Sequence, residues 1–269
     1  MENSQVVDIP LIKYEHGKHT STHDAIASEE PLEVFINDQP FHMTMRLPGE
    51  EIPLSVGFLF TEGLIKSVEE VLTVSHCRDV SSNRVNVYLK TPIHDNSEKL
   101  FSRKSPSYTS CGICGKDLIS NLSLSLPKIA KTVSITFPKL SQLQDILMKG
   151  QQVFKDTGGT HAAGIFDRHG TLLALSEDIG RHNALDKAIG KILLARKTDE
   201  AKILILSSRL SYEMVSKAAQ LSIEILTGVS SPTSLAIELA TSAEMTLIAF
   251  HRGQRGNIYT CPERIILDK

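Results

Sequence analysis

Ala201-Lys-Ile-Leu-Ile-Leu206-Ser-Ser-Arg209 decides the reading of the fold. Ile203 to Leu206 is a short unbroken apolar run, the pattern of a strand covered on both faces. Working outward, Asn183 to Ala195 places Leu185, Ile189, Ile192 and Leu193 on one side of a helix, with Asn183 as its N-cap. Tyr212 to Leu226 reads as a further helix, Val229 as a short strand, Leu235 to Thr241 as a helix and Thr246 to Phe250 as a strand. Upstream, Ala162 to Phe166 and Leu172 to Leu175 form a strand pair turning at Arg168-His169-Gly170. A helix starting near Ser141 carries Leu143, Ile146, Leu147, Val153 and Phe154. Strands alternating with helices after residue 160 predict an α/β layer on a mostly parallel sheet.

The first half is different. Residues 1–28 are polar, without a clear period, and read as a poorly defined lead-in or an early strand. Glu33 to Ile36 and His42 to Arg46 suit two strands joined at Asn37-Asp38. Ile52, Val56, Leu59, Phe60 and Leu64 recur at helical spacing, giving a helix over about 53–64. Val71 to Val74 and Val85 to Leu89 read as strands. The expected organisation is a mixed α/β (α+β) chain: a lead-in over 1–28, an N-terminal α+β subdomain over 29–127 ending in a mobile cysteine loop, and an α/β domain over 128–269.

With 269 residues and 41% hydrophobic content, the chain can bury a substantial core. Its formal net charge of −2 gives no global attraction to nucleic acid or an anionic membrane. No apolar run reaches the ~20 residues needed to cross a bilayer. A cytoplasmic protein is expected, and its 4 cysteines are too few for a disulfide scaffold.

Cys111-Gly-Ile-Cys114-Gly115 is the sharpest chemical feature. Two thiols at this spacing can act together, one carrying a group and the other resolving it. Gly112 and Gly115 let a partner approach the sulfur, and Lys104 and Lys116 favour the thiolate. Three plainer readings compete. Structural zinc needs four ligands, and no second close pair exists. A thioredoxin-like pair expects a strand before it, whereas this stretch is rich in Ser and Pro. Buried structural thiols fit poorly between glycines. No metal is expected.

Several polar loops follow the strands of the second half, where open α/β sheets bind ligands. Thr157-Gly-Gly-Thr160-His161 precedes one strand, and by itself a plain loop with a satisfied histidine explains it. Glu177 to Lys187 packs residues of varied chemistry around a helix start, with Arg181 and His182 placed to meet an anion. Ser207-Ser208-Arg209 suits a phosphate. Phe250-His251-Arg252-Gly253-Gln254-Arg255 holds two arginines able to clamp an anion, although a solvated hairpin turn is the competing reading. Walker, GxGxxG and HExxH patterns are missing.

Taken in order, Glu29-Glu-Pro-Leu32, Arg46-Leu-Pro-Gly49, Gly57-Phe-Leu-Phe-Thr-Glu-Gly63, Ser110 to Gly115, Thr157 to Ala163, Glu177 to Lys187 and Ser207-Ser-Arg209 resemble the formate dehydrogenase accessory sulfurtransferase family (FdhD). The resemblance runs from about Glu29 to Arg264. It implies a sulfurtransferase with a persulfide intermediate, which takes sulfur from a cysteine desulfurase. The sulfur then goes to the molybdenum cofactor, bis(molybdopterin guanine dinucleotide), before formate dehydrogenase receives it. Cys111 matches the persulfide-carrying cysteine and Cys114 its partner. Phe250 to Arg255 matches the cofactor-binding segment, and a guanine nucleotide is expected to fit the same site. Thr160, His161, Arg181, His182, Ser208 and Arg209 complete the candidate cofactor-binding set. The resemblance further implies a cytidine deaminase-like larger domain and a homodimer. The alternative is a non-catalytic chaperone that binds the cofactor and hands it over, its cysteines serving as a shield.

Overall fold

The computed structural model describes residues 4–79, 82–91 and 128–267. Cys111, Cys114 and the loop expected around them lie outside the described residues. In place of a poorly defined lead-in over 1–28, β1 (Val6–Glu15) and β2 (Lys18–Ala27) pair antiparallel along their whole length. His16 and Gly17 form the turn, both at positive φ, as two-residue hairpins require. Neither strand buries a continuous face, so no apolar alternation marked the ribbon in the sequence.

β3 (Glu30–Ile36), β4 (Gln39–Arg46), β5 (Val71–Asp79) and β6 (Ser82–Leu89) form a sheet in the order β4-β3-β6-β5. The expected turn at Asn37-Asp38 is present, with φ of 49° and 64°. Leu32, Val34 and Ile36 alternate inward on β3 and meet Val85 and Val87 of β6. The helix α1 (Glu51–Thr61) adds Leu54, Val56, Leu59 and Phe60 to the same core.

The second half runs β7 (Ile135–Thr136), α2 (Phe137–Gly150), α3 (Gln152–Thr157), β8 (His161–Phe166), β9 (Leu172–Asp178), α4 (Arg181–Leu194), β10 (Ile203–Leu206), α5 (Tyr212–Gln220), β11 (Ile225–Gly228), α6 (Ser234–Ser242), β12 (Thr246–Arg252), β13 (Arg255–Thr260) and β14 (Ile265–Ile266). Six strands form one sheet in the order β13-β12-β11-β10-β8-β9. Only β10–β11 and β11–β12 pair in parallel; β8–β10, β8–β9 and β12–β13 are antiparallel. The sheet is therefore mixed, and the expectation of a mostly parallel one is corrected. Tight turns after β8 and β12 allow antiparallel neighbours that a crossover helix would not.

Ile203 and Ile205 of β10 pack with α2 residues Leu140, Leu143 and Leu147. Leu204 and Leu206 face the other way, toward Leu185, Ile189 and Ile192 of α4. Period-two alternation between two covered faces explains why the strand reads as unbroken apolar sequence.

Three boundaries also differ. The helix expected over Tyr212 to Leu226 ends at Gln220. Ser222 then turns through left-handed φ, and β11 takes Ile225–Gly228, leaving Val229 just beyond it. The helix expected from Ser141 is two helices broken at Gln151; the first starts at Phe137, where Thr136 caps the Lys139 N–H. Asn183 lies inside α4, and Gly180 is its N-cap. Among the described residues no helix is long and apolar enough to cross a membrane.

The two halves share one core, because α1 crosses α4 backbone to backbone. A Cβ built on Gly57 would stand 1.9 Å from the Asp186 carbonyl oxygen, and one on Gly190 1.9 Å from that of Pro53. Helix propensity alone favours Gly190→Ala by ~1 kcal/mol. We predict the opposite sign, a loss of about 3 kcal/mol or more from forced separation of the helices. Urea unfolding measures it, and a stabilised variant would show that the crossing is looser than described.

Candidate functional site

The polar motif from Glu177 to Lys187 first has to be divided between holding and binding. Glu177 accepts the Val153 and Phe154 N–H groups, both at 2.9 Å, and the Thr160 hydroxyl at 2.7 Å. The Asp178 carboxylate meets the Lys187 ammonium at 2.7 Å, both side chains fully buried. Asp178 also accepts the Leu47 N–H at 3.0 Å, while Lys187 donates to the Leu47 carbonyl at 2.7 Å. Asn183 donates to Asp178 at 3.1 Å and to the Met45 carbonyl at 2.8 Å. Arg46 is buried between Glu30, at 2.9 Å, and Glu51, at 3.0 Å. Arg46-Leu-Pro-Gly49 and Glu177 to Lys187 are therefore two sides of one lock joining the N-terminal sheet to α4. A buried pair so fully hydrogen-bonded is tolerable, whereas removing one partner would strand a charge.

Asp186 belongs to a neighbouring cluster. It meets Lys217 at 2.8 Å and the Thr61 hydroxyl at 2.8 Å. Burial pushes its carboxyl above the ordinary range, with Lys217 opposing. One turn outward on both helices, His182 Nε2 stands 2.5 Å from Glu213. That hydrogen bond holds the Glu213 carboxyl below its ordinary range against burial. Glu213 and Lys217 were not singled out from the sequence; their i, i+4 spacing after Ser211 was the one available hint.

What remains free gathers along one edge of the six-stranded sheet. His161 pairs with Asp178, Leu206 with both Ala163 and Gly228, and Thr227 with Ile248. The start of β8 and the ends of β9 to β12 therefore share that edge. Four strand spacings at roughly 4.8 Å make it about 19 Å long. Backbone ties fix the loops to one another: Leu210 N–H to Ser231 O at 3.1 Å, Thr233 N–H to Leu210 O at 3.0 Å, and Phe250 N–H to Ser230 O at 3.1 Å.

The expected residues divide on this edge. Thr160 is buried and committed to Glu177. His161 is half-buried, and its imidazole is held below the usual histidine range by burial first, then by Arg181 and Arg209, with Asp178 opposing. Arg181 is half-buried, and its Nε is enclosed without a hydrogen-bond partner among the described residues. Ser208 is buried with its hydroxyl on the Arg209 carbonyl, while Arg209 itself is exposed. Arg252 is exposed and donates from Nε to the Val229 carbonyl at 3.0 Å. Gln254 and Arg255 are exposed on the β12–β13 hairpin, where Gly253 takes positive φ. That hairpin is the turn weighed from the sequence, and it stands at the same edge as the other loops.

Phe250 and His251 part company. Phe250 sits at φ 53° in a bulge between Ala249 and Arg252, with its ring 40% exposed at the edge. The bulge turns His251 under α2, fully buried, with Nδ1 2.9 Å from the Thr227 hydroxyl and Nε2 3.4 Å from that of Ser141. The His251 side chain is thus not brought together with the others. Burial lowers its pKa to about 4.

A family model described as the FdhD/NarQ family matches residues 27–266. The chain belongs to the FdhD/NarQ family. Relatives in it are named Sulfur carrier protein FdhD. The Sulfolobus acidocaldarius protein is 39% identical over 266 residues, covering 98% of this chain and 100% of that one. The Mycobacterium tuberculosis protein is 39% identical over 262 residues, covering 90% and 92%. The fold is similar to the crystal structure of a candidate formate dehydrogenase accessory protein from Desulfotalea psychrophila, with TM-score 0.79 and 26% identity over 98% of this chain and 100% of that chain.

The buried His251 generates a prediction. Between the ordinary value of 6.5 and about 4 the unfolded chain takes up a proton that the folded chain refuses. Stability present at neutral pH is therefore lost as pH falls through this window, by up to roughly 3 kcal/mol. His251→Gln keeps hydrogen-bonding capacity without titrating. Urea midpoints at neutral and mildly acid pH should fall less for the variant; equal losses would refute the assignment.

Proposed function

We propose that the chain is a sulfur carrier acting as a sulfurtransferase. Cys111 takes persulfide sulfur from a cysteine desulfurase and passes it to the molybdenum cofactor, bis(molybdopterin guanine dinucleotide), for activation of a formate dehydrogenase. The observation that carries this reading is likeness over nearly the whole chain to proteins named as sulfur carriers, together with the Cys111-Gly-Ile-Cys114 pair. The likeness to a candidate formate dehydrogenase accessory protein supports the choice of client.

The chemistry follows from thiolate exchange. Cys111 thiolate attacks the outer sulfur of the donor persulfide. An S–S bond forms on Cys111, the donor's S–S bond breaks, and the donor leaves as a thiolate. Rates follow the thiolate fraction and the pKa of the leaving thiol. Cys114 then has two uses: to hold the sulfur in turn, or to close a disulfide with Cys111 as sulfide departs. The second use leaves both thiols oxidised by the two electrons that the sulfide gains.

The strand-end edge is the reading's seat for the cofactor. Its length of about 19 Å suits an extended ligand, Arg181, Arg209, Arg252 and Arg255 suit phosphates, and exposed Phe250 suits a stacked ring. The same reading takes the larger half as cytidine deaminase-like, which its helix-flanked mixed sheet supports, and the protein as a cytoplasmic homodimer.

Intact mass after incubation with a cysteine desulfurase and cysteine tests it. The wild type is expected to gain one sulfur atom, mapped to the peptide holding Cys111. Cys111→Ala should lose that gain and transfer no labelled sulfur to the cofactor. Labelled sulfur still reaching the cofactor through the variant would sink the carrier reading.

A further inference from the structure

At the β8 end of the edge the carboxylates are taken by partners other than the arginines. Asp178 is engaged by Lys187, Asn183 and the Leu47 and Gly180 N–H groups. Glu177 is engaged by two backbone N–H groups and Thr160. Glu213 is hydrogen-bonded by His182 and attracted by Arg181 without forming an ion pair with it. Arg181 and Arg209 form no ion pair among the described residues, and Arg181 Nε is enclosed without an acceptor. The Ser211 hydroxyl, two residues beyond Arg209, is enclosed and unpartnered likewise. An enclosed donor left unpaired costs about 1–3 kcal/mol, and two guanidinium groups near one imidazole repel any further positive charge. Such an arrangement is costly when empty and favourable around an anion.

Register brings these groups together. His161 lies opposite Asp178, three residues before Arg181. The Ala162 N–H donates to the Ser207 hydroxyl at 2.8 Å, and the Ser207 N–H to the Ala162 carbonyl at 3.0 Å, two residues before Arg209. The charged groups facing His161 are Asp178 from β9, Arg181 and His182 from α4, and Arg209 from the loop after β10.

We propose that His161, Arg181 and Arg209 form one oxyanion subsite, which takes up a phosphate group together with one proton carried on the His161 imidazole. This rests on reading the edge as the seat of a phosphate-bearing ligand. With the subsite empty, burial and both arginines disfavour the protonated imidazole, with Asp178 opposing. A phosphate dianion reverses the sign of the local field, so the imidazolium becomes the favoured form and donates to the anion. Affinity therefore rises as pH falls, and release of the phosphate returns a proton to solvent. The subsite lies three strand spacings, about 14 Å, from the hairpin that carries Arg252 and Phe250. It grips one end of an extended ligand.

The test is a titration of the histidine ring signals of the full chain by NMR, with and without inorganic pyrophosphate, His161 being assigned by its loss in His161→Gln. The His161 midpoint is expected below the usual range without pyrophosphate and about 1–3 units higher with it. Pyrophosphate affinity should rise by up to about tenfold per unit fall in pH across that window. His161→Gln should lose this dependence beyond whatever pyrophosphate's own protonation supplies to both proteins. Arg181→Gln should weaken binding and abolish the shift. The proposal is overturned if pyrophosphate does not bind, if it binds with the His161 midpoint unmoved, or if His161→Gln keeps the wild-type pH dependence. Sulfur loading on Cys111 is read separately by mass, so either claim can fail while the other stands.

Discussion

Close approach of α1 and α4 is the constraint on which the rest depends. At Gly57 and Gly190 no side chain separates the two backbones. Contact this close leaves no room to slide, and it fixes how the N-terminal sheet lies against the large one. It also brings the Leu47 peptide group within reach of Asp178 and Lys187. A buried ion pair is a weak source of net stability, but here it makes five further hydrogen bonds that determine its geometry. Van der Waals contact at the glycines supplies the fit, and in that fit both charges of the buried pair are satisfied.

The site follows from that division of labour. Seven of the eleven residues from Glu177 to Lys187 carry polar or charged side chains, and most of them look inward. Glu177 and Asp178 secure backbone groups, Asn183 and Lys187 reach the N-terminal half, and Asp186 meets Lys217. Only Arg181 and His182 are left to face outward at the strand-end edge. A scaffold that commits its own carboxylates in this way leaves Arg181 and Arg209 without an ion pair among the described residues, which favours seating an anion.

Much of this was legible in the sequence. The run Ile203 to Leu206 announced a strand with two covered faces, and the strand-end loops could be placed on one edge because parallel neighbours put their carboxyl ends together. The ribbon of β1 and β2 was not legible, since strands exposed on both sides carry no apolar alternation. The end of α5 was missed because Ile223, Ile225 and Leu226 continue an apolar pattern past the left-handed residue Ser222. His251 was grouped with its neighbours because nothing in the sequence marks the extra residue at Phe250. One inserted residue inverts which side chain faces the core, and that inversion separates an exposed aromatic ring from a buried imidazole. The motif from Glu177 to Lys187 was noticed for its density, yet sequence could not tell structural carboxylates from functional ones without their partners.

The pairing of Leu47 with Asp178 joins positions 131 residues apart. A growing polypeptide emerging from the ribosome would display the apolar side of α1 long before α4 is synthesised to cover it. Early strands and their hairpin turns can form locally, but closure of so long a loop must wait. Newly made chains are therefore most exposed to aggregation and to chaperone capture while the second half is still being translated. The glycine contact that makes the finished molecule rigid also makes its assembly a late event.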